Sequence, residues 1–313
     1  MVGGGSGNFL VERQIINMIY LHTYSGLTSR CNTLSQTYWL AKKYNEKLVI
    51  FWEISWDCNI SYKDIFDERQ FNDIEYKVLE YNTFFKTKYG EMAGILIQRM
   101  IRAVFYCLIK ATGGRTVDYA PPAGMSWLGE DMKKRVLKCG KKVMSTLQQK
   151  RNIFISAFNG LSIDEIDMGS CQRKIIFKQT FVRKAERMMK RETMWIGVHI
   201  RRTDHRLATE HSTLDAFIKK MKEMEKIYPL ACFWLATDDK EVEMRIKGIF
   251  KDRVSVLGGK HWGRNTRKAM ESAVLDCLCL SKCDVILGSF GSAFSRFAAH
   301  YGNKELITID KLE

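Results

Sequence analysis

The chain has 313 residues, of which 46% are hydrophobic and 12% aromatic, so it is too apolar to stay unfolded and long enough for two lobes of ordinary size. Nine cysteines, an odd number scattered from Cys31 to Cys283, fit reduced thiols rather than a disulfide framework. Fifty Lys and Arg against 35 Asp and Glu leave a net charge of +15, which calls for an anionic partner without choosing among nucleotide, polyanion and membrane surface.

The start, Met1-Val-Gly-Gly-Gly-Ser-Gly7, lacks both the basic and the apolar region of a secretory signal, so residues 1–8 read as a flexible leader and the expected location is cytoplasmic. Ile15 to Leu21 is a short apolar run. It is followed by the loop His22-Thr-Tyr-Ser-Gly-Leu-Thr-Ser-Arg30, by a helical pattern with Leu34, Tyr38 and Ala41 on one face, and by Leu48-Val-Ile-Phe-Trp52. That order is strand, loop, helix, strand, the length of a parallel βαβ crossover.

The middle, about 60 to 190, is dominated by helical patterns and offers few strand signals. Ala93 to Ile109 is its most apolar stretch, but Gln98, Arg99 and Arg102 would be costly in a bilayer, so no transmembrane segment is expected. It reads as a buried helix, with Gln98, Arg102 and Tyr106 in one polar stripe and the other faces packed inward. The basic runs Lys133–Lys150 and Lys174–Arg191 read as solvated faces of amphipathic helices.

From Trp195 onward the pattern changes. Trp195–Ile200, Phe233–Ala236, Val254–Leu257, Val285–Leu287 and Leu306–Ile309 are short β-rich runs separated by helical or polar segments, the signature of a doubly wound parallel α/β sheet. This shift places a domain boundary near residue 190, giving an N-terminal lobe 1–190 and a C-terminal lobe 191–313.

Three of these strands end in residues able to carry chemistry. In Trp195-Ile-Gly-Val-His-Ile-Arg-Arg-Thr-Asp204, strand alternation puts His199 and Arg201 on one face and Ile200 and Arg202 on the other. Carboxyl ends of strands in an open α/β sheet face the ligand crevice, where an Arg can grip two phosphate oxygens. The competing role is a structural ion pair, with Arg202 and Asp204 the better-placed partners. The second strand end, Phe233-Trp-Leu-Ala-Thr-Asp-Asp239, delivers Asp238 and Asp239, which either line the same edge or cap the next helix. The third, Val285-Ile-Leu-Gly-Ser-Phe-Gly-Ser-Ala-Phe-Ser295, joins a strand to a helix start through a Gly/Ser loop whose free amides suit an anion and equally suit a plain connection. Cys277, Cys279 and Cys283 lie on an apolar helix without a neighbouring His and read as packed thiols rather than metal ligands.

Taken together, His199-Ile-Arg-Arg-Thr-Asp204, Leu235-Ala-Thr-Asp-Asp239, Leu275-Asp276 and Ser289-Phe-Gly-Ser-Ala-Phe-Ser-Arg296 stand in the order and approximate spacing of the α1,6-fucosyltransferases, which the chain resembles over about residues 195–300. The Gly26-Leu-Thr-Ser-Arg30 loop resembles, more loosely, that superfamily's first glycine-containing loop. The resemblance implies a GT-B-like α/β architecture, two Rossmann-like lobes with a donor crevice between them. It implies GDP-β-L-fucose as donor, an oligosaccharide or glycoconjugate acceptor, inverting transfer and no metal or other cofactor. It further implies that Arg201 holds the β-phosphate, that His199 and Asp276 contact the guanosine, and that Asp238, Asp239, Ser289, Phe290 and Ser292 line the donor pocket, with Gly26 and Arg30 opposite. Glu210 is the implied base, with one residue more between it and Asp204 than in the family. His205 stands where animal members carry Lys.

Two rivals stay open: the same fold with another linkage or GDP-sugar, and a basic nucleic-acid-binding protein, for which the net charge is the only support. Trp52, Trp56, Trp127 and Trp262 could stack an acceptor sugar or belong to the core.

Overall fold

Residues 17–121, 129–189, 193–203 and 206–311 are described by a computed structural model. The first part of the chain runs β1 (Met18–Thr23), α1 (Leu27–Tyr44), β2 (Lys47–Ile54), α2 (Tyr62–Ile65), β3 (Tyr76–Asn82), α3 (Gly90–Ala111), β4 (Arg115–Asp118), α4 (Glu130–Gln148) and β5 (Ile153–Ala157). Helices α5 (Met168–Gln172) and α6 (Gln179–Met188) lead to the second part. That part runs β6 (Trp195–Ile200), α7 (Arg206–His211), α8 (Leu214–Ile227), β7 (Cys232–Thr237), α9 (Lys240–Phe250), β8 (Val254–Ser255), α10 (Arg267–Ser281), β9 (Val285–Ser289), α11 (Ala293–Gly302) and β10 (Glu305–Ile309).

Each part builds one five-stranded sheet, in the orders β3-β2-β1-β5-β4 and β10-β9-β6-β7-β8, and every pairing is parallel. The expected α/β fold with two Rossmann-like lobes is therefore present. Parallel strands need crossovers that cover the sheet faces, so the inner strands are buried on both sides, as β6 is along its whole length. Gly197 at the middle of β6 is a packing requirement: a Cβ there would stand 2.9 Å from Leu280 and 3.2 Å from the Cys283 sulfur on and just after α10.

The main core does not stop at the lobe boundary. Leu34 and Tyr38 of α1, Ile50 of β2, Ala185 of α6, Leu278 of α10 and Phe297 of α11 belong to one continuous buried cluster, so α1, α5, α6, α10 and α11 form a shared helical layer. Burying it in both lobes fixes how the carboxyl ends of the two sheets face each other. Cys277, Cys279 and Cys283 are buried free thiols in this layer, and burial pushes each of them up from the ordinary thiol range.

Two expectations change. The helical middle contains three strands, β3, β4 and β5. Strand β3 is a charged edge strand, Tyr-Lys-Val-Leu-Glu-Tyr-Asn, and β4 has only four residues, so neither displays an apolar run. The second change is α3, which is inverted relative to the expected buried helix. Its polar stripe faces the first sheet, where the Gln98 amide donates to Glu53 Oε2 at 2.8 Å and Arg102 pairs with Asp118 at 3.4 Å. Its apolar residues Met92, Leu96, Met100, Val104 and Leu108 face outward. By length and composition α3 could cross a membrane, yet these inner bonds lay it flat on the sheet.

Candidate active site

Between the carboxyl ends of the two sheets lies a crevice of about 570 Å³, in the size range of small-molecule sites. The first lobe contributes Ser25, Gly26, Thr28, Asp57 and Phe158; the second contributes His199, Arg201, Asp238, Lys260, Asp276 and Ser292. The location follows from topology, because ligands in open α/β sheets bind beyond the strand carboxyl ends.

The end of β6 is held in shape by its neighbours. The Arg201 amide donates to Ser289 Oγ at 2.9 Å, and that hydroxyl donates to the His199 carbonyl at 3.2 Å. On the other side Asp238 accepts from the Arg202 amide at 2.7 Å and the Thr203 hydroxyl at 2.8 Å, and its Oδ2 lies 3.2 Å from Arg201 Nη1. Burial pushes the Asp238 carboxyl up, but Arg201 and these donors outweigh it and hold the group below the ordinary aspartate value. Arg201 is thus aimed at the crevice by a fixed carboxylate, the preorganisation that electrostatic catalysis requires.

His199 lies beside it, buried, stacked on Phe294 with ring centres 4.8 Å apart and with Nδ1 3.4 Å from Ser292 Oγ. Burial and the positive charge of Arg201 hold it down to about 3, so it is a neutral imidazole at physiological pH. Ser292 caps α11, accepting from the Phe294 amide at 3.3 Å, and Gly291 before it has a φ of +67°, a conformation glycine adopts without cost. Gly26 caps α1 from across the crevice, and no acid stands in the first turn of either helix. Two helix N-termini therefore add positive potential to the same space.

Asp276, on α10, is buried deeper. Its Oδ2 accepts from Lys260 Nζ at 2.6 Å, while its Oδ1 is buried without a hydrogen bond of ordinary length among the described residues, and the Trp234 side chain also stabilises the carboxylate. Burial raises the carboxyl above its usual range even against the Lys260 charge. Asp276 lines the crevice, and a carboxylate there can accept paired N–H donors from a heterocycle edge. Lys260 also donates to the Thr237 carbonyl at 2.8 Å and sits 5.0 Å from the Trp262 ring centre. Lys260 was not among the expected site residues. It stands in a loop after a two-residue strand, in the sequence Gly258-Gly-Lys-His-Trp262, and the glycine pair beside a cation was the available signal.

Several expected residues support the site without lining it. Asp239 turns to α9 and caps it, accepting from the Glu241 and Val242 amides at 2.8 and 3.2 Å. Phe290 donates its amide to Ser212 Oγ at 2.7 Å and stacks on His211, away from the crevice. Ser289 ties β9 to β6, as described. Arg30 is fully buried. It donates to the Ser25 carbonyl at 2.7 Å, to the Glu53 carbonyl and to Ser55 Oγ at 2.9 Å, and it packs over Trp52, so it braces the loop rather than meeting a ligand. Arg202 is also outside the crevice lining, with its Nη2 buried and without a partner among the described residues.

Glu210, the implied base, lies outside the crevice lining. It is on the exposed face of α7, bonded to Arg206 Nε at 2.6 Å, and that bond holds the carboxyl below its ordinary value. Asp204, His205 and Trp127 lie outside the described residues. Of the other three tryptophans weighed for an acceptor sugar, Trp52 is core, Trp56 packs at a tilt against Phe84 with ring centres 4.5 Å apart and Trp262 lines the crevice. Asp57 is the lining carboxylate that the first lobe supplies among the described residues, 3.6 Å from Arg264 Nη1. Among the described residues no three His, Cys, Asp or Glu side chains gather into a metal-binding group.

No protein-family model and no curated protein sequence matches the chain. Solved structures do. The chain is similar to the NodZ α1,6-fucosyltransferase soaked with GDP-fucose, with a TM-score of 0.59 and 16% identity over 91% of this chain and 92% of that one. It is similar to fucosyltransferase NodZ from Bradyrhizobium, with a TM-score of 0.56 and 15% identity over 90% and 92% of the two chains. It is also similar to POFUT1 in complex with GDP, with a TM-score of 0.53 and 9% identity over 94% and 98%. Along nearly its whole length, the chain has the GT-B-like fold of these fucosyltransferases.

Proposed function

We infer that the chain is a glycosyltransferase moving L-fucose from GDP-β-L-fucose to a hydroxyl of an oligosaccharide acceptor, with inversion at the transferred carbon and an α1,6 linkage. The observation that carries this reading is the junction of Arg201, held by Asp238, with the Asp276 carboxylate in one crevice. The first suits a diphosphate and the second suits guanine N1–H and its 2-amino group. Residues 191–313 are then the donor lobe, and residues 1–190 supply the acceptor side.

In the transfer, the acceptor oxygen bonds to the anomeric carbon as the bond from that carbon to the β-phosphate oxygen breaks. The bonding electrons leave with GDP. Arg201 and the α11 amides stabilise that developing charge, so this chain neutralises the diphosphate with its own cations and needs no metal. The hydroxyl proton passes to a carboxylate facing the leaving group, a role we assign to Asp57 in place of Glu210.

The test is turnover of GDP-fucose against chitooligosaccharides, N-glycan cores and lactose-type acceptors in excess EDTA, with the linkage and anomer read by NMR. An α-linked product on O6 supports the reading. A product from another GDP-sugar only, or activity restored solely by Mg²⁺ or Mn²⁺, would overturn the donor or the metal assignment respectively.

A further inference from the structure

Helix α3 is built the wrong way round for a soluble surface. Its 22 residues extend about 33 Å, and Met92, Leu96, Met100, Val104 and Leu108 recur every fourth residue along the outer face, each more than half exposed. The inner face meets the first sheet through Gln98, Arg102 and Phe105, the last 4.2 Å from Phe51 between ring centres. Monomeric soluble proteins seldom leave so long an apolar stripe uncovered.

The charge around the stripe selects what covers it. Between Phe84 and Arg115 there are five basic residues and one acid, Glu91. Lys86 and Lys88 stand at the N-terminal end, Arg99 midway and Lys110 at the C-terminal end, all exposed. At the two ends exposed aromatics accompany them: Lys88 Nζ lies 5.7 Å from the Tyr89 ring centre and Lys110 Nζ 4.6 Å from that of Tyr106. A second copy laid on this face would bring like charges together with only one acid per copy to offset them. An anionic lipid surface satisfies both features, since acyl chains take the stripe and headgroups take the lysines, while aromatic rings suit the boundary. Spanning would break the bonds from Gln98 and Arg102 to the sheet.

We propose that α3 docks the protein on an anionic membrane surface, lying in the plane of the bilayer with its outer face in the headgroup boundary. Neither the crevice nor the transfer reaction enters into this inference.

The experiment is vesicle flotation of the full chain, with vesicles of phosphatidylcholine alone and of equal parts phosphatidylcholine and phosphatidylserine. The chain binds the anionic vesicles at least about tenfold more strongly than the neutral ones, and added salt weakens that binding. The double variant Leu96→Gln with Met100→Gln loses about tenfold of the binding, and the double variant Lys86→Glu with Lys88→Glu loses a similar amount. All four positions are exposed, and unchanged thermal stability verifies that each variant folds. Absence of binding to anionic vesicles, or binding that both double variants retain, would overturn the proposal. So would a dimer in light scattering that Leu96→Gln with Met100→Gln dissolves, because the face would then belong to a second copy.

Discussion

Arg201 and Asp238 stand at the ends of adjacent parallel strands, with Nη1 and Oδ2 3.2 Å apart and each side chain largely buried. The same carboxylate holds the turn that follows Arg201, through the Arg202 amide and the Thr203 hydroxyl. The guanidinium is therefore fixed before any ligand arrives.

Removing that guanidinium should abolish most of the activity. Arg201→Ala should lower turnover by about 10²–10³, and Arg201→Lys should recover little, since a point charge loses the planar fork that grips two oxygens. Asp238→Ala should act through Arg201: it lowers turnover less, raises KM for the donor, and loses about 1 kcal/mol of stability through the part-buried Arg202 amide that it leaves without a partner. Steady-state kinetics and chemical denaturation measure these. More than about a tenth of wild-type turnover in Arg201→Ala would remove it from the diphosphate site.

The Lys260–Asp276 pair separates stability from recognition. Lys260→Met leaves a buried carboxylate without its cation and should cost about 3–5 kcal/mol. Adding Asp276→Asn should restore most of that loss, because the uncompensated charge is gone, while guanine recognition stays lost. Denaturation midpoints of the two variants, with GDP binding measured in parallel, decide this. A double variant that binds GDP as the wild type does would place the base elsewhere.

The two carboxylates considered for the proton transfer make opposite predictions. Glu210→Gln should leave turnover near normal, because the side chain is exposed and engaged with Arg206 outside the crevice. Asp57→Asn should reduce turnover by about 10²–10⁴, the usual contribution of a positioned base, with GDP affinity little changed. The reverse pattern in kcat would return the role to Glu210.

Acid should destabilise the fold well above the carboxylate range. His199 and His22 are both held down to about 3, chiefly by burial, so both are neutral in the folded protein. An unfolded chain protonates them below about pH 6.5, so stability falls as pH drops from there toward 3. Asp238, depressed in the folded state, adds a further loss only below about pH 4. Asp276, raised by burial, works in the opposite sense and recovers some stability as it protonates. Thermal melts from pH 7 to pH 4 should decline steadily, and His22→Gln should flatten the slope; a flat profile down to pH 5 would contradict this assignment.

Much of the second lobe was legible because its chemistry sits on strand ends. Alternation along Trp195–Ile200 puts His199 and Arg201 on one face, and both line the crevice, while the capping role open to the Asp pair is the one Asp239 takes. What escaped were contacts made across long separations. Arg30 is consumed by the end of β2, Lys260 reaches Asp276 from a loop, and Asp57 comes from the other lobe. Helix α3 was misread because its period is that of any amphipathic helix; periodicity gives two faces without saying which one meets the sheet. Strand β5, Ile153-Phe-Ile-Ser-Ala157, carries a readable apolar run after a basic helix, and the helical patterns around it mask that signal.

Calorimetric titration of the wild-type chain with GDP, and separately with ADP, is the most direct test of the site. The account predicts one GDP site that persists in moderate salt and in EDTA, ADP binding weaker by about tenfold or more, and loss of the GDP preference in Asp276→Ala. Equal affinity for GDP and ADP, or GDP binding unchanged in both Arg201→Ala and Asp276→Ala, would contradict it.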